Sequence, residues 1–296
     1  MTETPWNGQN KPQKIKIIAD STCDLTPELL HQWDVDILPL QILLGETAYG
    51  DDRSVTPDEI YTWADAHKTT PKTAAPTVAT AVKLFKPYLE AGRDIVCLSI
   101  SQSMSGSGNV MRLAAEELEA TDRVTVIDSA SLSTGVGLLV IEAAAKAQAG
   151  DSAKEIEAHV LSLREKVRAT FVVDTLTYLH RGGRCSGLAA MAGGVLKLHP
   201  LIAVSGGRMA PGKKYRGSMS RVIPAYVQEM EDELKKARPE RVFITHSGCE
   251  EEVIQGVKNY LEGLNHFREI LMTRAGSVIS SHCGPGTLGV LFIAGE

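Results

Sequence analysis

Ile95-Val-Cys-Leu-Ser-Ile-Ser-Gln-Ser-Met-Ser105-Gly-Ser-Gly-Asn109 is an apolar run that ends in hydroxyls and glycines just before a helical pattern begins. It reads as a buried strand over 95–100, a sharp turn, and a helix over 108–119. Amides at a helix start lack partners inside the helix and sit at the positive end of its dipole, so the turn is a prepared seat for an anion. The letters exclude several guests. A phosphate loop needs G-x-x-x-x-G-K-[ST] and a nucleophile elbow needs G-x-S-x-G; Met104-Ser-Gly-Ser-Gly108 satisfies neither. Gly106-x-Gly108 has no third glycine three residues on, so the dinucleotide fingerprint fails as well. A carboxylate stays on the list of anions. On their own, the same serines also read as simple helix caps.

Strands and helices alternate outward from this unit. Upstream, 15–19 is a strand, Asp20-Ser-Thr-Cys-Asp24 a polar turn, and Thr26-Pro27-Glu28 a helix opening with Asp24 as a candidate first-turn acid. The run 35–44 reads as one extended segment, and Thr56-Pro57-Asp58-Glu59 opens a helix to 67. Lys72-Thr73-Ala-Ala-Pro76-Thr77 reads as a second hydroxyl-bearing turn, because Pro76 pushes Ala75 into an extended conformation before a helix over 77–91. Downstream come a strand at 124–127, a turn at 128–133, a helix over 134–149, and the capping box Ser152-Ala-Lys-Glu155 opening a helix to about 168. This alternation predicts a parallel sheet with ligands at the carboxyl ends of its strands, where the turns 20–24, 101–108 and 128–133 fall.

A second unit starts at 169. Its expected elements are a strand at 169–173, a short helix through 179, a glycine-punctuated helix 187–196, a strand 201–204 and a helix 218–237. A strand at 241–245, a capping box His246-Ser247-Gly-Cys-Glu250 for helix 250–262, a strand at 270–272 and a final strand 288–294 follow. The fold class is therefore α/β with two domains: a loose tail over 1–14, an N-terminal domain over 15–168 with a parallel sheet, and a second mixed α/β domain over 169–296.

Composition narrows the function. A formal charge of −5 on 296 residues gives no footprint for nucleic acid. Five scattered cysteines without C-x-x-C spacing read as reduced thiols of a cytoplasmic protein, with neither a disulfide framework nor a metal site. The polar stretch 1–14 is no signal peptide or anchor, and 275–295 is broken by Gly284-Pro285-Gly286, which argues against a membrane span. Charge is nevertheless uneven. Between Asp174 and Glu229 there is no acidic residue, yet Arg181, Arg184, Lys197, Arg208, Lys213, Lys214, Arg216 and Arg221 all fall inside. Such a segment reads as a docking face for an acidic partner, or as carboxylate-paired to the first domain.

Several pieces together resemble the DegV family, the fatty-acid-binding subunits of bacterial fatty acid kinase. They are Asp20-Ser-Thr-Cys-Asp-Leu25, Lys72-Thr73-x-x-Pro76, Ser105-Gly-Ser107, Asp174-Thr175-Leu176 through Tyr178-Leu179 to Gly182-Gly183-Arg184, His199-Pro200-Leu201, and Ser281-His282-x-Gly-Pro-Gly286, in the family's order. The resemblance implies one long-chain fatty acid buried in an acyl tunnel, with its carboxylate held by Thr73, Ser105, Gly106 and His282. It also implies an ATP-bearing kinase partner that converts the carboxylate to an acyl phosphate for phospholipid metabolism, no catalytic activity of the chain's own, and no cofactor beyond the bound lipid. Arg184, Lys213, Lys214 and Arg216 become candidate docking residues, and the same patch could touch an anionic membrane surface transiently. Thr73-Ala74-Ala75-Pro76-Thr77 stands where the family often shows Thr-Ser-x-Pro-Ser, which removes one hydroxyl donor, Ser107 replaces the usual threonine and Cys283 follows the histidine, while Thr73 and Ser105 are kept.

Energetics agree with a buried lipid. A chain of about sixteen carbons at roughly 0.8 kcal/mol per methylene offers on the order of 10 kcal/mol gross. A bare carboxylate cannot be buried, but two hydroxyls and free helix amides satisfy it without a metal. The rival is a serine hydrolase acting on lipid esters, with Ser105 as nucleophile, His282 as base and Asp20 or Asp128 as orienter. Asp20 and Asp128 otherwise read as acids that tie turns together, and His246 as a structural histidine.

Overall fold

The computed structural model describes residues 14–185 and 198–295. The expected helix 187–196, Lys197 and nearly all of the 1–14 tail lie outside the described residues. Strand β1 (Ile15–Asp20) is buried along its whole length, as a strand in mid-sheet with both faces covered must be. It lies between β2 (Val35–Leu38) and β6 (Asp94–Ser99), and β7 (Val124–Asp128) completes a four-stranded sheet in the order β2-β1-β6-β7. Every pairing is parallel, with Ile17 opposite both Val35 and Val96. Strand order reverses between β1 and β6, so the crevice past their carboxyl ends is the switch point where such sheets bind ligands.

The extended run 35–44 is split by Pro39, which cannot donate to a ladder. Its second half, β3 (Gln41–Leu44), turns away into a separate antiparallel sheet with β4 (Thr47–Gly50) and β5 (Lys72–Ala74). The expected turn at 72–77 is therefore an edge strand at its start, with Thr73 paired to Ile42. Helices α1 (Pro27–Gln32) and α2 (Pro57–His67) open on Thr26 and Thr56 as expected, and α2 carries a full capping box with Glu59. Helix α3 (Val78–Glu90) opens on Thr77 and α4 (Ser107–Glu117) on Gly106.

Helix α5 (Thr134–Ala149) is apolar around most of its circumference, and such a helix must be buried. It packs between the parallel sheet and a second, mixed sheet, together with α6 (Ala153–Arg164). Gly137 permits the contact, because a Cβ there would lie 2.8 Å from the Cys23 carbonyl. Helix α6 stops at Arg164, and β8 (Val167–Val172) opens the second sheet. After α7 (Thr177–Gly182) come β9 (Leu198–Ser205), β10 (Arg208–Arg216), α8 (Met219–Glu229), α9 (Glu231–Leu234), β11 (Ala237–His246) and α10 (Glu251–Gly263). The chain closes with β12 (Glu269–Arg274), α11 (Ser277–Cys283) and β13 (Leu288–Ala294).

The six strands run β10-β9-β8-β13-β11-β12, and all neighbours are antiparallel except β11 and β12. The layers are α3 and α4, the parallel sheet, α5 and α6, the mixed sheet, then α8 and α10. This is the expected pair of α/β units, parallel then mixed.

Several expectations for the second unit are corrected. Segment 208–216, to which the sequence reading assigns no element, forms edge strand β10, with Pro211 beside a register shift; edge strands tolerate such a proline. The helix expected over 218–237 breaks at Met230, and Ala237 already pairs with Ala294 in β11. No capping box forms at 247–250: Glu250 caps α10 without a side-chain bond. Ser247 instead accepts from the Thr287 N–H at 3.0 Å and donates to the Gly284 carbonyl. Finally, the polar run 280–287 contains the last turn of a helix, α11, that begins at Ser277.

Candidate functional site

Helix α11 brings the distant motifs together. Its start is gripped by two buried acids: Asp24 accepts from the Gly276 N–H at 2.8 Å, and Asp51 from the Ser277 N–H at 3.1 Å. Asp24 also accepts from the Ser133 hydroxyl. Asp24 thus does not serve as a first-turn acid of α1; it sits in left-handed geometry at φ 52°, facing inward. Burial outweighs the hydrogen bonds from Ser133 and Gly276 and pushes its pKa up to about 8, and burial likewise pushes Asp51 up to about 6. Asp51 carries no sequence signature.

At the other end of α11, His282 Nε2 lies 2.8 Å from Thr73 Oγ1. The second ring nitrogen is sealed from solvent and has no hydrogen-bond partner among the described residues. Burial, and then the nearby Arg184 charge, push the His282 pKa down to about 4, so the ring is neutral at physiological pH. Thr73 is set by its strand pairing in β5, and Ser105 by the turn ahead of α4, where its Oγ accepts from the Ser107 N–H at 3.3 Å.

Thr73, Ser105, Gly106 and His282 line one cavity of about 110 Å³. Its deeper wall is apolar, with Ile100, Met104, Leu132 and Ile279. All four residues expected at the head group therefore meet at one place. Arg184 lines the same cavity, at its exposed edge, and donates from Nη1 to the Gly182 carbonyl at 2.7 Å. It belongs to the mouth of this cavity, beside β10, whose Met209 bridges the neighbouring Cys185 and lines the same cavity. A smaller void of about 20 Å³ lies beyond, against the mixed sheet at Phe171, Gly289 and Leu291. Leu132, Ile279 and Cys283 line both voids and form the partition between them.

A larger open cleft of about 830 Å³ lies at the start of α11, with Asp24 and Asp51 among its lining residues. It shares no lining residue with the Thr73 cavity. Its acids make it a poor seat for an anion.

The remaining candidates have structural partners. Asp20 accepts from the Ile100 N–H at 2.9 Å and the Thr22 N–H at 3.2 Å, tying the turns after β1 and β6. Asp128 accepts from the Gln102 and Ala130 N–H groups at 3.2 and 3.0 Å. His246 Nδ1 accepts from the Gly248 N–H at 3.2 Å. On the basic segment, Lys213 pairs with Glu229 at 2.5 Å and lies over Tyr215. Arg208, Lys214, Arg216 and Arg221 are exposed. Among the described residues none of these four is paired with a first-domain carboxylate. No group of three or more metal-capable side chains occurs among the described residues, nor any helix long and apolar enough to cross a membrane.

The sequence model of the DegV family matches residues 14–295. The chain belongs to the DegV family. The DegV domain-containing protein CPE1310 of Clostridium perfringens is 31% identical over 280 residues, covering 95% of this chain and 98% of that one. Among solved structures, a DegV-family protein from Thermus thermophilus, described for its fatty acid binding, superposes with a TM-score of 0.86 at 29% identity, covering 95% and 99% of the two chains. A stearic-acid-binding protein from Eubacterium ventriosum superposes with a TM-score of 0.81 at 28% identity, covering 95% and 98%. The fold is thus shared with DegV relatives over 95% of the chain. The contact of Gly182 with His282 and the grip of Asp24 and Asp51 on α11 were not read from sequence, because neither an inter-helix contact nor a buried acid pair has a local pattern.

Proposed function

We propose that this protein is a fatty-acid carrier that holds a long-chain acid by its carboxylate in the Thr73 cavity and presents it to an ATP-dependent fatty acid kinase. The observation that carries this reading is the 2.8 Å contact between Thr73 and His282 at the head of a cavity that Ser105 and Gly106 also line. Ser105 Oγ has an internal N–H to accept from, and Thr73 Oγ1 has one when His282 carries its proton on Nε2, which frees both hydroxyl protons for a guest that only accepts. A carboxylate is such a guest, and neutral donors bind it without a buried counter-charge. The fatty acids bound by the Thermus and Eubacterium relatives support the same ligand class.

The acyl tail runs from the cavity past Leu132, Ile279 and Cys283 into the void under β13. The present voids are small against the roughly 300–1,000 Å³ typical of ligand sites, so the lipid enters by parting this partition. Exposed Arg208, Lys214 and Arg216 on the β10 edge supply the charge for kinase docking and for brief contact with anionic lipid, with Arg184 next to the head group. The protein works in the cytoplasm and performs no chemistry itself. A hydrolase would need His282 as a base on Ser105, but Nε2 faces Thr73, the ring pKa is low, and Asp20 and Asp128 are engaged with backbone amides.

Native mass spectrometry of protein purified from cells tests the reading. It predicts one fatty acid per chain; an empty protein that cleaves p-nitrophenyl esters in a Ser105-dependent way overturns it.

A further inference from the structure

We infer that Gly182 is a positioning residue for the head-group pocket: its bare backbone fills the space beside His282 and fixes the imidazole as its neutral Nε2–H tautomer. Helices α7 and α11 pack so closely that a Cβ at residue 182 would stand 2.4 Å from His282 Nδ1 and 3.2 Å from Cε1. Only glycine permits this approach without moving the ring. The same closeness leaves Nδ1 buried with no polar partner among the described residues. Arg184 Nη1 donates to the Gly182 carbonyl at 2.7 Å and the Gly183 N–H closes α7 on the Leu179 carbonyl, so the segment is held in place.

The two neutral tautomers are not equivalent in this setting. With the proton on Nδ1, an N–H would be buried without an acceptor, and Nε2 would take the Thr73 hydroxyl proton, turning Thr73 away from the cavity. With the proton on Nε2, that N–H is satisfied by Thr73 Oγ1 and only a lone pair is left bare. Orphaned buried donors are the rarer and costlier case. The imidazolium is excluded by burial and by the Arg184 charge. Packing at Gly182 therefore sets the direction of a donor chain in which His282 donates to Thr73 and Thr73 donates into the cavity.

The effect on ligand affinity rests on the carboxylate reading above, whereas the tautomer does not. The test is nitrogen-15 NMR of histidine-labelled, ligand-free protein, which distinguishes a protonated from a bare ring nitrogen. The expected result is a protonated Nε2 and a bare Nδ1 at His282. In Gly182→Ala the methyl displaces the ring, so the single tautomer is lost and palmitate binds about tenfold more weakly, the value of one hydrogen bond. Adding Thr73→Val to Gly182→Ala then costs little more, because the two act through one chain. Gly256→Ala, on α10 where a Cβ meets nothing within 4 Å and the backbone is not left-handed, keeps the tautomer. A proton on Nδ1 in the unmodified protein overturns the inference even if Gly182→Ala fails to fold. So does a folded Gly182→Ala protein with tautomer and affinity unchanged. A protein that shows the Nε2–H tautomer yet binds no palmitate supports the inference and defeats the carrier reading instead.

Discussion

Thr73 and His282 stand 209 positions apart in the chain and are joined by a 2.8 Å contact between Oγ1 and Nε2. One lies on the edge of a small antiparallel sheet and the other at the end of a helix of about two turns, so only the complete fold assembles the pair. Hydrogen bonds to a charged group contribute about 1.5–3 kcal/mol, roughly 10- to 100-fold in affinity. Thr73→Val and Ser105→Ala should each weaken palmitate binding in that range while leaving the circular dichroism spectrum unchanged and lowering the melting temperature by only a few degrees, since each also removes one internal hydrogen bond. Calorimetric titration of both variants checks this, and undiminished affinity in both would remove the head-group assignment.

The acid grip on α11 predicts a pH dependence of stability. Folded Asp24 and Asp51 titrate near 8 and near 6, well above an unfolded aspartate near 3.8. A group whose pKa rises on folding stabilises fully below its unfolded value and loses that contribution as pH climbs through the folded one. These two groups should therefore make the melting temperature fall between about pH 4 and pH 8. Asp24→Asn, which stays neutral and tolerates the left-handed backbone, should flatten the upper part of that fall. Parallel pH profiles for the two proteins would show that Asp24 does not titrate there.

Acyl specificity should be set at the partition. Ile279 is nearly buried and lines both voids. Ile279→Phe should shift preference toward shorter fatty acids, with each methylene that is no longer buried losing about 0.8 kcal/mol, close to fourfold in affinity. Competition among C12, C14, C16 and C18 acids reads the shift directly; an unaltered order would place the tail elsewhere.

Docking should follow from the exposed cations of the hairpin. Charge reversal of Arg208, Lys214 and Arg216 should slow acyl-phosphate formation by a purified bacterial fatty acid kinase at low salt about tenfold or more, leaving palmitate affinity intact. Lys213 is a weaker choice, since it is already paired with Glu229. Equal loss of binding and turnover would mean damage to the fold, and no loss of turnover would move the interface.

Much of this was legible in one dimension where a local pattern had one physical meaning. The unit at 95–109 gave strand, turn and helix start because an apolar run followed by small hydroxyl residues has few other uses, and Thr26, Thr56 and Ser152 announced their helices by capping chemistry. The meeting of Thr73, Ser105 and His282 was expected from the resemblance to a family, since no spacing rule links residues so far apart. What stayed hidden depends on tertiary contact. Strand β10 has the composition of a loop because it is an edge, and α11 is short, capped by Gly276 without a side-chain bond, and stabilised by acids from elsewhere in the chain. Gly182 matters only through the ring of a residue a hundred positions later.

The most direct measurement is carbon-13 NMR of the protein loaded with palmitate labelled at its carboxyl carbon. The account predicts a single bound carboxyl resonance at one equivalent per chain, shifted separately by Thr73→Val, by Ser105→Ala and by His282→Gln. No bound resonance, or one that none of the three substitutions moves, would contradict it.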